Sequence, residues 1–119
     1  MLVDTSIWVE HLRHSKFGLV SLLQHAEVQC HPFIIGELAC GSISRRSEIL
    51  HLLRRLPSIQ VVENEEVMTF VERHRIMGRG VGWVDVHLLA AAALESVLLW
   101  TADRRLASIA RSLGVYGEP

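Results

Sequence analysis

The 119-residue chain has little of what would tie it to a disulfide scaffold, a zinc site or a membrane. Its two cysteines, Cys30 and Cys40, form no CxxC pair, so we expect two reduced thiols in the core of a cytoplasmic protein. An acidic residue at position 4 interrupts any secretory leader before an apolar run can develop. The longest apolar stretch, residues 86–100, contains His87 and Glu95 and is too short and too polar to cross a bilayer. These absences predict a soluble cytoplasmic protein with no membrane association.

Lysine and aspartate are also scarce in this chain. Lys16 stands alone against 11 arginines, and three aspartates stand against ten glutamates. The aspartates are Asp4, Asp85 and Asp103. A chain that builds its acidic surface from glutamate therefore uses the shorter, stiffer carboxylate at three positions, which suggests that geometry constrains them.

The composition and the pattern of apolar residues predict one α/β domain over residues 1–119. Half of the residues are hydrophobic, which is enough for a large core and for a further apolar surface such as an oligomer interface. We predict strands at residues 1–4, 28–30, 59–62 and 97–100, an edge strand at 115–116, and helices at 7–12, 17–23, 32–41, 47–56, 65–77, 85–95 and 103–113. Strands that alternate with helices indicate a mainly parallel sheet in a three-layer α/β/α sandwich.

Two acids follow predicted strands. Asp4 ends the first strand, and Asp103 lies just beyond the strand at 97–100. Parallel α/β sheets place their functional sites at the carboxyl ends of strands. An aspartate after a strand is also a common helix N-cap, and that alternative applies to each of the two separately.

Two further acids stand among apolar helical neighbours. Glu37 has Phe33, Ile34 and Cys40 at helical spacing, so we expect it to project from the apolar face, where an unpaired carboxylate is costly. An arginine or backbone donors could satisfy it instead of a metal. Asp85 follows a glycine-rich loop at the start of an alanine-rich helix, where it acts either as a cap or as a site residue.

Four carboxylates on neighbouring strand ends and helices suit hard divalent cations. Oxygen donors favour Mg²⁺ or Mn²⁺ over zinc or copper. Such a site fits phosphodiester hydrolysis by a metal-activated water. His11 and His14 share a helix face but lack a neighbouring cysteine or an HExxH context, so they do not indicate zinc.

The order of these motifs resembles the PIN-domain ribonucleases and, more narrowly, the VapC-type toxins of type II toxin–antitoxin pairs. The matching segments are residues 2–8 (LVDTSIW), 35–38 (IGEL), 85–93 (DVHLLAAAA) and 101–106 (TADRRL). The resemblance implies a PIN-like fold and Mg²⁺- or Mn²⁺-dependent endonucleolytic cleavage of RNA. It implies that Asp4, Glu37, Asp85 and Asp103 are both the metal ligands and the catalytic acids.

The same resemblance implies supporting residues and partners. Thr5 or Ser6 and Thr101 match polar positions that support the first and last acids by hydrogen bonding. The implied partners are the RNA substrate, a second copy of the chain and a small cognate antitoxin. We expect exposed arginines to grip the RNA backbone, and the candidates are Arg73, Arg79, Arg104 and Arg105.

An antitoxin groove could form near the start of the chain. The apolar residues Trp8, Leu12, Phe17 and Leu22 would line it if they are exposed; the alternative is that they belong to the core.

Other families and another class of function fit less well. A haloacid-dehalogenase phosphatase needs a second aspartate where this chain has Ser6, and a receiver domain needs a late lysine that the chain lacks. The remaining alternative is a PIN-like module that binds RNA or a protein without cutting it.

Overall fold

The computed structural model describes residues 1–119, except for the side chain of residue 17. The described chain contains two short strands and seven helices, in the order β1 (Leu2–Val3), α1 (Thr5–Arg13), α2 (Phe17–Gln24), α3 (Pro32–Cys40), α4 (Arg46–Arg55), α5 (Asn64–His74), α6 (Trp83–Glu95), β2 (Leu99–Trp100) and α7 (Arg104–Ser112).

The sheet is parallel and its centre is the pair β1–β2, in which Leu2 faces Leu99 and Val3 faces Trp100. Single parallel bridges extend it on both sides, from Leu2 to Gln29, from Cys30 to Ser58, and from Leu99 to Tyr116. The spatial order of these segments is therefore 58, 29–30, β1, β2 and 116. The chain thus enters the sheet five times, as predicted, but most of the entries are short.

Of the predicted strands, the one at residues 59–62 differs most from the structure. The bridge lies at Ser58, and the last contact with the sheet is the bond from the Ile59 amide to the Cys30 carbonyl, at 2.9 Å. Gln60 and Val61 are exposed, so the chain leaves the sheet before the predicted strand is complete.

Helices cover the sheet on both faces. Crossovers between parallel strands are right-handed as a rule, so from the strand order we expect α1 to α4 on one face and α5 to α7 on the other. The most extensive helix contacts, α1 with α3, α3 with α4 and α5 with α6, all lie within one of these two groups. None of the helices in the described structure is both long and apolar enough to cross a membrane.

The core corrects two expectations. Cys30 is buried but Cys40 is exposed, because α3 turns Ile34 and Leu38 toward the sheet and places Cys40 on the outer side. Trp8 is 2% exposed and Leu22 is 8% exposed, so these two belong to the core and cannot line an antitoxin groove.

The other two groove residues are less decisive. Leu12 is half-buried, and the side chain of Phe17 lies outside the described residues.

Two helix starts differ from the prediction in a way that matters for the site. Helix α1 begins at Thr5 and not at the predicted residue 7, so its N-cap is Asp4 and both Thr5 and Ser6 lie inside the helix. Helix α6 begins at Trp83, so Asp85 lies within its first turn.

An aromatic cluster centred on the buried His31 and His87 joins the first turns of α3 and α6. The His31 ring lies 4.8 Å from Phe33 and 6.4 Å from His87, and His87 also packs edge-on against Phe33 and Trp83. His31 Nδ1 accepts the Phe33 amide at 2.9 Å and caps α3. Burial, and secondarily the neighbouring His87, lowers the pKa of His31 to about 4.

This shift predicts acid sensitivity. Between pH 6.5 and 4 the unfolded chain binds a proton at His31 that the folded chain rejects, so the free energy of unfolding falls as the pH falls. The His31 contribution between pH 7 and 4.5 is about 2 kcal/mol, since one pKa unit corresponds to ~1.4 kcal/mol. His31→Asn keeps a capping side chain but does not titrate, so its urea midpoint should fall less over this range. The exposed control His51→Asn should follow the wild type, and equal pH slopes for all three proteins would contradict the assignment.

Candidate active site

Asp4 lies at the centre of the candidate site, directly after β1. It is 6% exposed, and its Oδ2 accepts two hydrogen bonds of 2.7 Å, one from Ser6 Oγ and one from Thr101 Oγ1. Thr101 follows β2 and is 3% exposed. The parallel pairing of β1 with β2 therefore places an acid and its hydroxyl donor side by side at the carboxyl edge of the sheet.

The same two hydroxyls hold the turn that carries Asp103. The Ala102 amide donates to Ser6 Oγ at 3.0 Å, and the Asp103 amide donates to Thr101 Oγ1 at 3.1 Å. Ser6 and Thr101 thus each join an oxygen of Asp4 to the backbone that leads to the last acid. Ser6 and Thr101 thus form hydrogen bonds of the kind predicted for them, and their role in supporting a metal site stays a prediction.

Asp103 caps α7. Its Oδ1 accepts from the amides of Arg105, at 2.9 Å, and Leu106, at 3.1 Å. The N-cap alternative is therefore correct for Asp103, and it does not exclude a further role, because Oδ2 is not used by the cap.

Asp85 is fixed from its own helix. Its Oδ2 accepts the amide of Gly82 at 3.0 Å. Burial raises the pKa of Asp85; the Gly82 hydrogen bond opposes this, and the negative charges of Asp4 and Asp103 raise the pKa further. The three aspartates are therefore within electrostatic reach of one another, although they lie far apart in the sequence.

The prediction that Glu37 is a buried carboxylate is wrong. It is exposed, because Ile34 and Leu38 face the core and Glu37 lies on the flank of α3. Its Oε1 accepts a hydrogen bond of 2.8 Å from Thr5 Oγ1, next to Asp4 in the chain. Burial therefore gives no reason to place a metal at Glu37, whereas its contact with Thr5 does bring it to the edge of the site.

A shared pattern links the four acids. The protein holds one oxygen of each: Oδ2 of Asp4, Oε1 of Glu37, Oδ2 of Asp85 and Oδ1 of Asp103. In the described part of the chain, no protein donor bonds to the other oxygen of any of them. Carboxylates oriented through one oxygen and open at the other fit the donor chemistry of Mg²⁺ or Mn²⁺.

The acids do not form a closed cage. Among the described residues, no three His, Cys, Asp or Glu side chains stand close enough together to hold a metal ion as placed. Mg²⁺ typically keeps several waters and uses one or two carboxylates plus substrate phosphate. An open group of acids is compatible with this mode of Mg²⁺ binding. It is less compatible with a structural metal that protein ligands enclose completely.

The four candidate RNA-binding arginines are all exposed but do not form one surface. Arg104 and Arg105 begin α7 beside Asp103. A β-carbon built on Gly80 would lie 2.6 Å from the Arg105 side chain, so the glycine loop that contains Arg79 leaves room for Arg105. Arg73 lies elsewhere, in a cleft between α5 and α6.

The sequence interpretation missed two features next to the acids. One is the His31–His87 cluster, which fixes the starts of the helices that carry Glu37 and Asp85. The other is a second cleft beside Thr101 that contains Arg111. A usable signal was present for the latter, because Arg104 and Arg111 are seven residues apart and share a helix face.

Comparisons with known proteins show which family the chain belongs to. A PIN domain family model matches residues 1–112. Two relatives, both ribonuclease VapC32 from strains of Mycobacterium tuberculosis, are 47% identical over 116 residues, or 97% of this chain and 94% of theirs. This chain is a PIN-domain protein of the VapC type.

A solved structure supports the PIN fold independently of close sequence similarity. The crystal structure of PAE2754 from Pyrobaculum aerophilum superimposes with a TM-score of 0.63, covering 91% of this chain and 82% of that chain. At 19% sequence identity this likeness concerns the fold alone. The predicted fold class is confirmed.

The Thr101 hydroxyl should be worth a measurable amount of stability in this PIN domain. Thr101→Val keeps the shape but removes the donor to Asp4 and the acceptor for the Asp103 amide. We expect the free energy of unfolding to fall by about 2 kcal/mol in urea denaturation. Thr69→Val, at an exposed hydroxyl bonded to the Glu65 carbonyl, should change it by less than about 0.5 kcal/mol. A loss at Thr101 no larger than at Thr69 would refute the importance of this contact.

Proposed function

We propose that this protein is a Mg²⁺- or Mn²⁺-dependent endoribonuclease that acts as the toxin of a toxin–antitoxin pair. The observation that carries the proposal is the set of four acids, each with one oxygen held by the protein and one left open. The relatives that are 47% identical are named ribonucleases, which supports RNA as the substrate. The cytoplasm, where cellular RNA is found, is the proposed place of action.

The roles of the chain's own residues follow from their hydrogen bonds. Ser6 and Thr101 fix Asp4, and α7 fixes Asp103, so these two carboxylates are oriented before a ligand arrives. Thr5 orients Glu37 from the side of α3. Preorganised groups lower the cost of assembling a reactive complex, because less reorientation is needed during the reaction.

A divalent cation would be held by one or two of the open oxygens of Asp4, Asp85 and Asp103, with water and substrate phosphate as its other ligands and Glu37 at the margin. When bound, it supplies an activated water and stabilises negative charge on the phosphodiester. The pKa of Asp85 is raised mainly by burial, and the negative charges of Asp4 and Asp103 add a smaller contribution that a cation would relieve.

The proposed partners are a cognate antitoxin and a second copy of the chain. The VapC type supports an antitoxin, but Trp8 and Leu22 are excluded from its binding surface because they are buried. The groove predicted from these residues is therefore not part of this proposal.

The face formed by α5 and α6 supports a homodimer. Met68 on α5 is 49% exposed, and Leu94, which lines a cleft of about 530 Å³ between α5 and α6, is 62% exposed. Helix α5 has Glu65 and Glu66 in its first turn and Arg73 in its last turn. Two antiparallel copies of α5 would pair these opposite charges around a two-fold axis. Light scattering that gives a monomer mass at tens of micromolar protein would contradict a dimer.

The catalytic proposal predicts metal-dependent cleavage that fails without the site charges. Purified protein should cut RNA internally with Mg²⁺ or Mn²⁺, and a chelator should abolish the activity. Asp103→Asn should lower the rate at least about 100-fold while α7 keeps its cap, because asparagine caps helices as well as aspartate does. The exposed acid in Glu72→Gln serves as the matched control and should retain wild-type activity.

A cell assay separates the toxin role from nuclease activity alone. Expression of the wild type should stop growth, Asp103→Asn should not, and the small protein encoded beside the toxin should restore growth. If the metal-loaded protein binds RNA but cuts none, the non-catalytic module is the correct reading.

A further inference from the structure

A second cleft, of about 540 Å³, lies next to the acids between α1 and α7. Its wall includes Thr101 and Ala102, which belong to the hydrogen-bonded turn between Asp4 and Asp103. We call it the α1–α7 cleft. Its lining also includes Lys16, Arg104, Arg111 and Tyr116. Because Thr101, Ala102 and Arg104 line the cleft, it borders the turn that carries Asp103, although Asp103 itself is not part of its wall.

The cations of the α1–α7 cleft differ in how they are engaged. Lys16 forms an ion pair with Glu10, with 2.6 Å between Nζ and Oε2. The other acid of the cleft, Glu118, accepts a hydrogen bond of 3.3 Å from the Tyr116 hydroxyl. Among the described residues, neither Arg104 nor Arg111 has a carboxylate partner. Two guanidinium groups are therefore available to an anionic ligand.

The spacing of these arginines is ordered by α7. Arg104, Ala107 and Arg111 recur at three and four residues and line the same wall of the cleft. The two arginines are separated by about 10 Å along the helix axis, and the small Ala107 leaves the space between them open. A chain of phosphates that enters beside Arg111 is thereby led toward Asp103.

A preformed stack completes the cleft. The Arg111 guanidinium lies 4.2 Å from the centre of the Tyr116 ring. Planar guanidinium and aromatic groups are the surfaces on which unpaired RNA bases stack. The cleft therefore offers both elements that recognise a nucleotide, a cation for the phosphate and a flat surface for the base.

We propose that the α1–α7 cleft binds the nucleotides of single-stranded RNA that flank the cleaved phosphodiester, with Arg104 and Arg111 on phosphates and the Arg111–Tyr116 stack beneath a base. This proposal rests on the proposed ribonuclease function. It adds Arg111 and Tyr116 as substrate-binding residues of a cleft that accepts unpaired RNA, because bases inside a duplex cannot reach the stack. Arg111 and Tyr116 are binding residues and take no part in the chemical step.

The test measures RNA affinity independently of cleavage. Asp103→Asn blocks turnover, and in this background the Kd for a labelled single-stranded RNA of about ten nucleotides is measured by anisotropy at several salt concentrations. Arg111→Gln should raise the Kd about tenfold and reduce the salt slope by about 0.7, the value for one phosphate contact on a single strand. Tyr116→Leu should raise the Kd about tenfold with an unchanged slope, since it removes stacking and no charge.

Three variants make the result specific. Arg111→Lys should keep the slope but recover only part of the affinity, and Tyr116→Phe should bind like the parent because it keeps the ring. Arg54→Gln removes an exposed arginine of α4, which lines no part of the cleft, and should change the Kd less than twofold.

The outcomes separate a failure of the proposed RNA-binding cleft from a failure of the proposed ribonuclease function. If both Arg111→Gln and Tyr116→Leu bind RNA with a Kd within twofold of the parent, the proposal that the cleft binds RNA is wrong. It is also wrong if Arg54→Gln weakens binding as much as Arg111→Gln does, or if Tyr116→Phe weakens it as much as Tyr116→Leu does. Absence of RNA cleavage by the wild type with either metal overturns the proposed function instead. The affinity data still decide the cleft in that case, because they need no turnover.

Discussion

The hydrogen bond from Thr101 to Asp4 is the contact on which the rest of the site depends. It joins the residues that directly follow the two central strands, and its 2.7 Å length requires the register of β1 against β2. A slip of one residue would turn these side chains to opposite faces of the sheet. The core that fixes this register, with Leu2 and Leu99 fully buried, is therefore also what positions the first acid.

In each of the four acids, one carboxylate oxygen is hydrogen-bonded to the protein and the other is free within the described structure. Each acid uses one oxygen for local structure, as a helix cap for Asp103 and Asp85 and as a hydroxyl acceptor for Asp4 and Glu37. Capping and metal binding are thus compatible for an aspartate, because its two oxygens can serve different partners. The cost is mutual repulsion among neighbouring carboxylates. Burial is the main reason that the pKa of Asp85 is raised, but the charges of Asp4 and Asp103 raise it further, and a divalent cation would relieve that part.

The sequence predicted the order of the elements well because that order follows from apolar periodicity. Strand lengths were predicted poorly, since a run such as residues 59–62 does not reveal where the chain leaves the sheet. Asp4 and Asp103 were placed correctly, because strand ends determine their location. The predicted burial of Glu37 was wrong, because helical spacing shows which residues share a helix face but not which face points toward the core.

Features that depend on distant contacts could not be obtained from the sequence. The meeting of His31 with His87, and of Arg111 with Tyr116, depends on how helices pack on the sheet. The single domain, the metal and the homodimer remain predictions, and the metal is the one on which the catalytic account depends.

Anomalous X-ray diffraction from crystals soaked in Mn²⁺ tests that account most directly. The account predicts an anomalous peak beside the open oxygens of Asp4, Asp85 and Asp103, and loss of that peak in Asp85→Asn crystals. A peak elsewhere, or no peak at these acids at a Mn²⁺ concentration that supports full activity, would contradict it.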